Sequence, residues 1–264
     1  EGPSFDQDGN LYVVDIPFGR IFRIAPDKEW SLITEYDGEP NGLKIHKDGR
    51  IFVADYKRGI MQVDPDTGSV TPYCERWRVE SFKGVNDLVF DALGNMYFTD
   101  QGLTGMHDPT GRVFRLSPDG AQLDCLVDTV PSPNGLVPNL SEDILYLAVT
   151  RANQVWRVPL LDDGGTAKVG IFLHLSGGGA GPDGMALDAE GGLLVCHAGN
   201  GCVWHFDAMG EPKHRIRSCT GLVTTNLAFG GPDNKSLFIT ESHSGAILKA
   251  DLPVSGKTMY SHMD

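Results

Sequence analysis

The chain has 264 residues, with 35 acidic against 22 basic side chains, a net charge of −13, 33 glycines and 16 prolines. An acidic surface repels phosphate backbones, which argues against a nucleic-acid partner, and no apolar run approaches the ~20 residues of a membrane span. Five cysteines without a CxxC pair argue against a disulfide framework or thiolate zinc site, so a cytoplasmic protein without a signal peptide is expected, as a monomer or small homo-oligomer.

Taken in chain order, the sequence repeats itself six times. Each unit opens on a polar residue, continues through an apolar stretch, turns, and enters a strand-like run. The openers are Glu1, Asn41, Asn86, Asn134, Asp183 and Asn226, spaced 40, 45, 48, 49 and 43 residues apart. Eight residues after each opener stands a turn residue: Gly9, Gly49, Gly94, Glu142, Gly191 and Asn234. Third apolar segments follow at 20–24, 111–116 and 154–158, and a fourth at 30–34. Short runs rich in Val, Ile, Phe and Tyr between Gly turns have the pattern of antiparallel strands. Four strands per unit of 40–50 residues is the pitch of a propeller blade. The expectation is an all-β, six-bladed β-propeller forming one domain over 1–264, with blades starting near 1, 41, 86, 134, 183 and 226. The last unit has three clear segments and a weaker tail, 256–264. Either that tail or an N-terminal strand absent from the sequence is expected to complete the sixth blade.

In a propeller the first strand of each blade lines the central channel, so equivalent positions form a ring. All six openers are Asn, Asp or Glu. This ring offers oxygen but neither sulfur nor imidazole, which suits one hard divalent cation: calcium first, with magnesium, manganese or zinc as alternatives. Glu1 and Asp183 supply two carboxylates to balance its charge. Turn chemistry is the competing explanation, since Asn41-Gly42, Asn134-Gly135 and Asp183-Gly184 are ordinary turn dipeptides; Glu1, Asn86 and Asn226 do not fit it. Around the ring, Asn41 and Asn226 are candidate substrate contacts. So are Met106 and His107, in the long loop 101–112, and His197. His197 stands fourteen residues after Asp183, where other blades carry Asp15, Asp55 and Asp100, types that cap turns. The glycine run 177–181 lacks a following Lys-Ser/Thr and is not a phosphate loop.

Four segments, Glu1-Gly2-Pro3, Gly84-Val85-Asn86-Asp87, Pro133-Asn134-Gly135-Leu136 and Pro182-Asp183-Gly184-Met185, resemble the signature segments of the regucalcin/gluconolactonase family, which also includes diisopropyl fluorophosphatases. The resemblance extends through 226–233 in the last repeat. It implies a six-bladed propeller with a divalent cation in the channel, metal-site residues Glu1, Asn86, Asn134 and Asp183, and Asp183 as the catalytic carboxylate. It further implies a small-molecule substrate: a lactone, or alternatively a fluorophosphate. A calcium-binding propeller without turnover is the non-enzymatic alternative. In the sugar-lactonase branch an arginine commonly stands two residues before the second-segment Asn; here it is Gly84, beside Lys83. That departure points away from sugar aldonolactones.

Overall fold

The computed structural model describes residues 1–263 as six antiparallel sheets, each with its strands side by side in chain order. Blade 1 holds Ser4–Phe5, Leu11–Asp15, Arg20–Ile24 and Trp30–Glu35. Blade 2 holds Pro40–Ile45, Ile51–Asp55, Gly59–Val63 and Val70–Cys74. Blade 3 holds Val85–Phe90, Met96–Asp100, Gly111–Leu116 and Leu123–Val130. Blade 4 holds Pro133–Pro138, Ile144–Val149, Gln154–Pro159 and Gly170–His174. Blade 5 holds Gly181–Leu187, Leu193–Ala198, Cys202–Phe206 and Pro212–Arg217. Blade 6 holds three strands, Thr224–Gly230, Ser236–Glu241 and Ala246–Asp251. A short ribbon, Arg76–Trp77 with Glu80–Ser81, stands between blades 2 and 3.

The repeat maps onto this architecture except in blade 6, where the pairing of Thr224 with Glu241 puts Thr225, not Asn226, at the opener position. All six turn residues have positive φ: Gly9 81°, Gly49 88°, Gly94 85°, Glu142 56°, Gly191 85° and Asn234 54°. An aspartate closes several of these turns by accepting two backbone N–H groups. Asp91 Oδ1 takes those of Leu93 at 3.0 Å and Asn95 at 2.8 Å, and Asp6 and Asp188 do the same in blades 1 and 5. At the other end, the acid closing the second strand latches the loop arriving from the preceding blade. Asp55 accepts from Glu39 N, Asp100 from Lys83 N and Gly84 N, and Glu241 from Val223 N. Second strands lie buried between their neighbours, as in the fully buried Ile51–Asp55, Met96–Asp100 and Leu193–Ala198, whereas the outer strand Pro212–Arg217 is almost wholly exposed.

The tail does not become a fourth strand of blade 6. It crosses the base of the channel and touches every blade. Ser261 O accepts from Gln7 of blade 1 at 2.8 Å. Tyr260 packs on His46 of blade 2 and Phe90 of blade 3, with ring centroids 4.9 and 5.3 Å apart. Lys257 pairs with Glu142 of blade 4 at 2.7 Å, Gly256 bridges to Asp188 of blade 5, and Asn234 of blade 6 donates to Gly256 O at 2.9 Å. Asp264, the last residue of the expected tail strand, lies outside the described residues. Blades 6 and 1 meet through side chains, with Phe5 edge-on to Phe238 at 5.0 Å. Tyr260→Ala should therefore lower unfolding free energy by about 3 kcal/mol, the cost of deleting a buried aromatic ring. Urea denaturation measures this, and an unchanged midpoint would show that the tail does not hold the ring closed.

Candidate functional site

Five of the inner strands break register at or beside their opener: between Pro40 and Gly42, Val85 and Leu88, Pro133 and Leu136, Pro182 and Met185, and Thr224 and Asn226. A β-bulge adds a residue to one strand and re-aims its side chains. In blades 2 to 6 the inner strand thus bulges at the upper channel mouth and does not make a reverse turn there. The glycines after them serve close approach. A Cβ on Gly42 would lie 2.4 Å from Asp87 Oδ1, one on Gly135 2.5 Å from Asp183 O, and one on Gly184 2.2 Å from Asn226 Oδ1. Without those carbons, adjacent inner strands close up around the axis.

Two amides of the ring have a polar partner beside them. Asn86 Nδ2 donates to Gln101 Oε1 at 3.0 Å, and the Asn134 amide lies against the Asp183 carboxylate. Among the described residues no protein donor is recorded on the Oδ1 of either. Asn226 differs: its Nδ2 donates to Asp87 Oδ2 at 3.1 Å and its Oδ1 accepts from Leu227 N at 2.8 Å, so both ends are spent. Glu1 lies beside the Thr225 hydroxyl. Burial, reinforced by the charges of Glu1 and Asp87, holds the Asp183 carboxyl well above the usual carboxylate range. Burial also raises Glu1 and Asp87, and Lys44 opposes the rise at Asp87.

The two carboxylates of Glu1 and Asp183 and the two amide oxygens of Asn86 and Asn134 form a hard, oxygen-only donor set that fits a divalent cation. Among the described residues no three His, Cys, Asp or Glu side chains gather as a metal cluster, and half of this donor set is amide oxygen.

Asn41 stands on the ring, half-buried. Met106 and His107 are exposed on their loop, whose base is tied to the ring through Gln101. His197 is a correction: it is fully buried and does not present a free nitrogen to substrate. Its Nε2 donates to Gly177 O at 3.1 Å, and its Nδ1 accepts from Trp204 at 3.1 Å and Asn200 at 3.2 Å. Burial lowers its pKa, and it serves blade 5 as the latch that Asp55 and Asp100 provide in theirs.

Asp87 and Gln101 were not among the expected site residues. Strand alternation puts Asp87 on the face opposite Asn86, and only the bulge brings both to the axis. A signal existed, because glycine follows the opener in four other repeats. At the missing arginine, Gly84 packs under Tyr56: a Cβ there would lie 2.7 Å from the Tyr56 ring. Lys83 does not substitute, since its ammonium binds Thr110 O at 2.7 Å. Below the ring, a cavity of about 90 Å³ lined by Lys44, Asp87, Leu136 and Met185 is floored by the tail.

The profile of the SMP-30/Gluconolactonase/LRE-like region matches residues 1–243. A lactonase, drp35, of Staphylococcus aureus is 32% identical over 226 residues, covering 82% of this chain and 68% of its own. A gluconolactonase of Xanthomonas campestris superposes with a TM-score of 0.84 at 24% identity, covering 96% of this chain and 86% of that one. Regucalcin of Agrobacterium tumefaciens, a calcium-binding protein, superposes equally well at 0.84 with 22% identity, covering 100% and 93%. At such identities these two structures speak for the fold.

Proposed function

The chain belongs to the SMP-30/gluconolactonase/LRE-like family, and we propose that it is a divalent-cation-dependent lactonase acting on lactones less polar than the sugar aldonolactones. The observation that carries this is the ring of Glu1, Asn86, Asn134 and Asp183, in which carboxylates crowd at the axis beside two amide oxygens free of protein donors. These four residues would hold the cation, calcium by choice of donor, and the drp35 likeness supports the lactonase part of the reading. When bound, the cation supplies Lewis acidity toward a carbonyl oxygen.

The rest of the chemistry belongs to the chain. Asp183 would take the proton of the attacking water. Asn134, against that carboxylate, fixes its direction. Tyr56 packs against Gly84, where the sugar-lactonase branch carries an arginine, and would offer substrate an aromatic ring in its place.

The test is initial hydrolysis rates on a lactone panel after chelation, with calcium, magnesium, manganese or zinc restored, read by acid release. Turnover should return with a divalent cation and favour aliphatic or aromatic lactones over aldonolactones by about tenfold or more in kcat/KM. Silence on every lactone, with turnover of phosphorus esters instead, would move the chain to the fluorophosphatase branch. Silence on both, with calcium bound, would leave a non-catalytic calcium-binding propeller.

A further inference from the structure

We propose that Gln101 is a positioning residue that turns the oxygen of Asn86 toward the channel axis, and thereby sets how tightly the ring holds its cation. This rests on the cation-binding reading above. An asparagine amide carries a donor at one end and an acceptor at the other. A hard cation accepts only the oxygen. Asn86 is buried, so it can present Oδ1 to the axis only if an acceptor on the other side receives its NH2. Gln101 Oε1, at 3.0 Å, is that acceptor.

Gln101 is itself held in a closed circuit. Its Nε2 donates to Ser132 Oγ at 3.0 Å. Ser132 is buried with a φ of 67°, and its backbone N–H donates to Thr104 Oγ1 at 3.1 Å. The Thr104 hydroxyl donates back to Gln101 O at 2.6 Å. The circuit spans blade 3, its long upper loop and the entry to blade 4.

The residues after the second strand in the other blades are Ile16, Tyr56, Thr150, Gly199 and Ser242, none of them an amide. Among the blades, the glutamine stands beside Asn86, an amide of the donor set. Asn134, the other amide of the donor set, already has Asp183 beside its NH2. A loop anchor alone would not need an acceptor facing Asn86.

The test titrates calcium alone into the chelator-stripped full chain by calorimetry, for four proteins: wild type, Gln101→Met, Asn86→Asp and the double variant. Methionine keeps the length of Gln101 but offers no amide. Aspartate at 86 presents oxygen at either end, so its orientation no longer matters. Gln101→Met should weaken calcium ~10–100-fold in the wild-type background and less than about threefold in the Asn86→Asp background, a coupling that the double-mutant cycle isolates. A loss within twofold of wild type overturns the inference. An equal loss in both backgrounds also overturns it, because that is the signature of loop anchoring. Absence of calcium binding to the wild type would remove the cation reading and this inference with it, and is distinguished by the first titration alone.

Discussion

Asp183→Asn should lower kcat on any lactone substrate by about 10³-fold or more while leaving the propeller folded, because the substitution keeps shape and one oxygen but removes the proton acceptor. The same variant carries a second expectation of opposite sign. In the metal-free protein Asp183 is crowded by Glu1 and Asp87, and burial with those charges lifts its pKa well above the ordinary carboxylate range. A carboxyl whose folded pKa exceeds its unfolded pKa binds more protons when folded. Its contribution to stability is full below the ordinary value near 4 and is lost as pH rises through the raised one. At neutral pH the raised carboxyls therefore cost the metal-free fold stability. Asp183→Asn should raise the metal-free melting temperature at pH 7, and should flatten its fall between acid and neutral pH. A variant with unchanged kcat would remove Asp183 as the base. A variant that unfolds would show instead that the residue is needed for the fold.

Chelation should have the second large effect. A cation at 1,000 times its dissociation constant adds about 4 kcal/mol to the folded state. For a chain of this size that corresponds to a melting shift on the order of 10 °C, lost on adding a chelator. The shift should also depend on pH in a definite direction. Glu1 and Asp183 both hold protons to higher pH than ordinary carboxyls, burial being the first cause in each. A cation must displace those protons, so its apparent affinity falls with falling pH. Differential scanning calorimetry with and without chelator should show the gap shrinking from pH 8 to pH 5. Equal melting temperatures with and without chelator across that range would mean that the ring binds no divalent cation.

The two expectations separate the parts of the site. Asp183→Asn touches chemistry and charge together, while chelation removes the cation and leaves every side chain in place. If both hold, the crowding at the axis is what the metal-free protein tolerates in order to have a binding site.

Much of this molecule was legible in its sequence because the relevant physics is local. Strand alternation and left-handed turn residues act over a few positions, so six repeats and six turn residues could be read directly, and all six turns have the positive φ their composition suggests. The ring was expected from the same repeat, since equivalent residues share one radius, but strand pairing puts Thr225 rather than Asn226 at that position in blade 6. Tertiary structure alone decided what depends on contacts between blades. The bulge at Asn86 and Asp87 brings two successive side chains to one axis, against the two-residue period that sequence reading assumes. The Asn226 amide is held by tertiary contact, its NH2 donating to Asp87, 139 residues away, while its oxygen accepts from Leu227 N. His197 carries the chemistry of a catalytic group, but Gly177 and Trp204 have used both of its nitrogens. The tail, one of two candidates to complete the sixth blade, lies instead across the channel base, where Tyr260, Lys257 and Gly256 find partners on separate blades. Sequence thus determined which residue types reach the axis, and tertiary structure determined which of their atoms remain free, because a polar atom's availability is set by whichever partner the fold brings within hydrogen-bond distance.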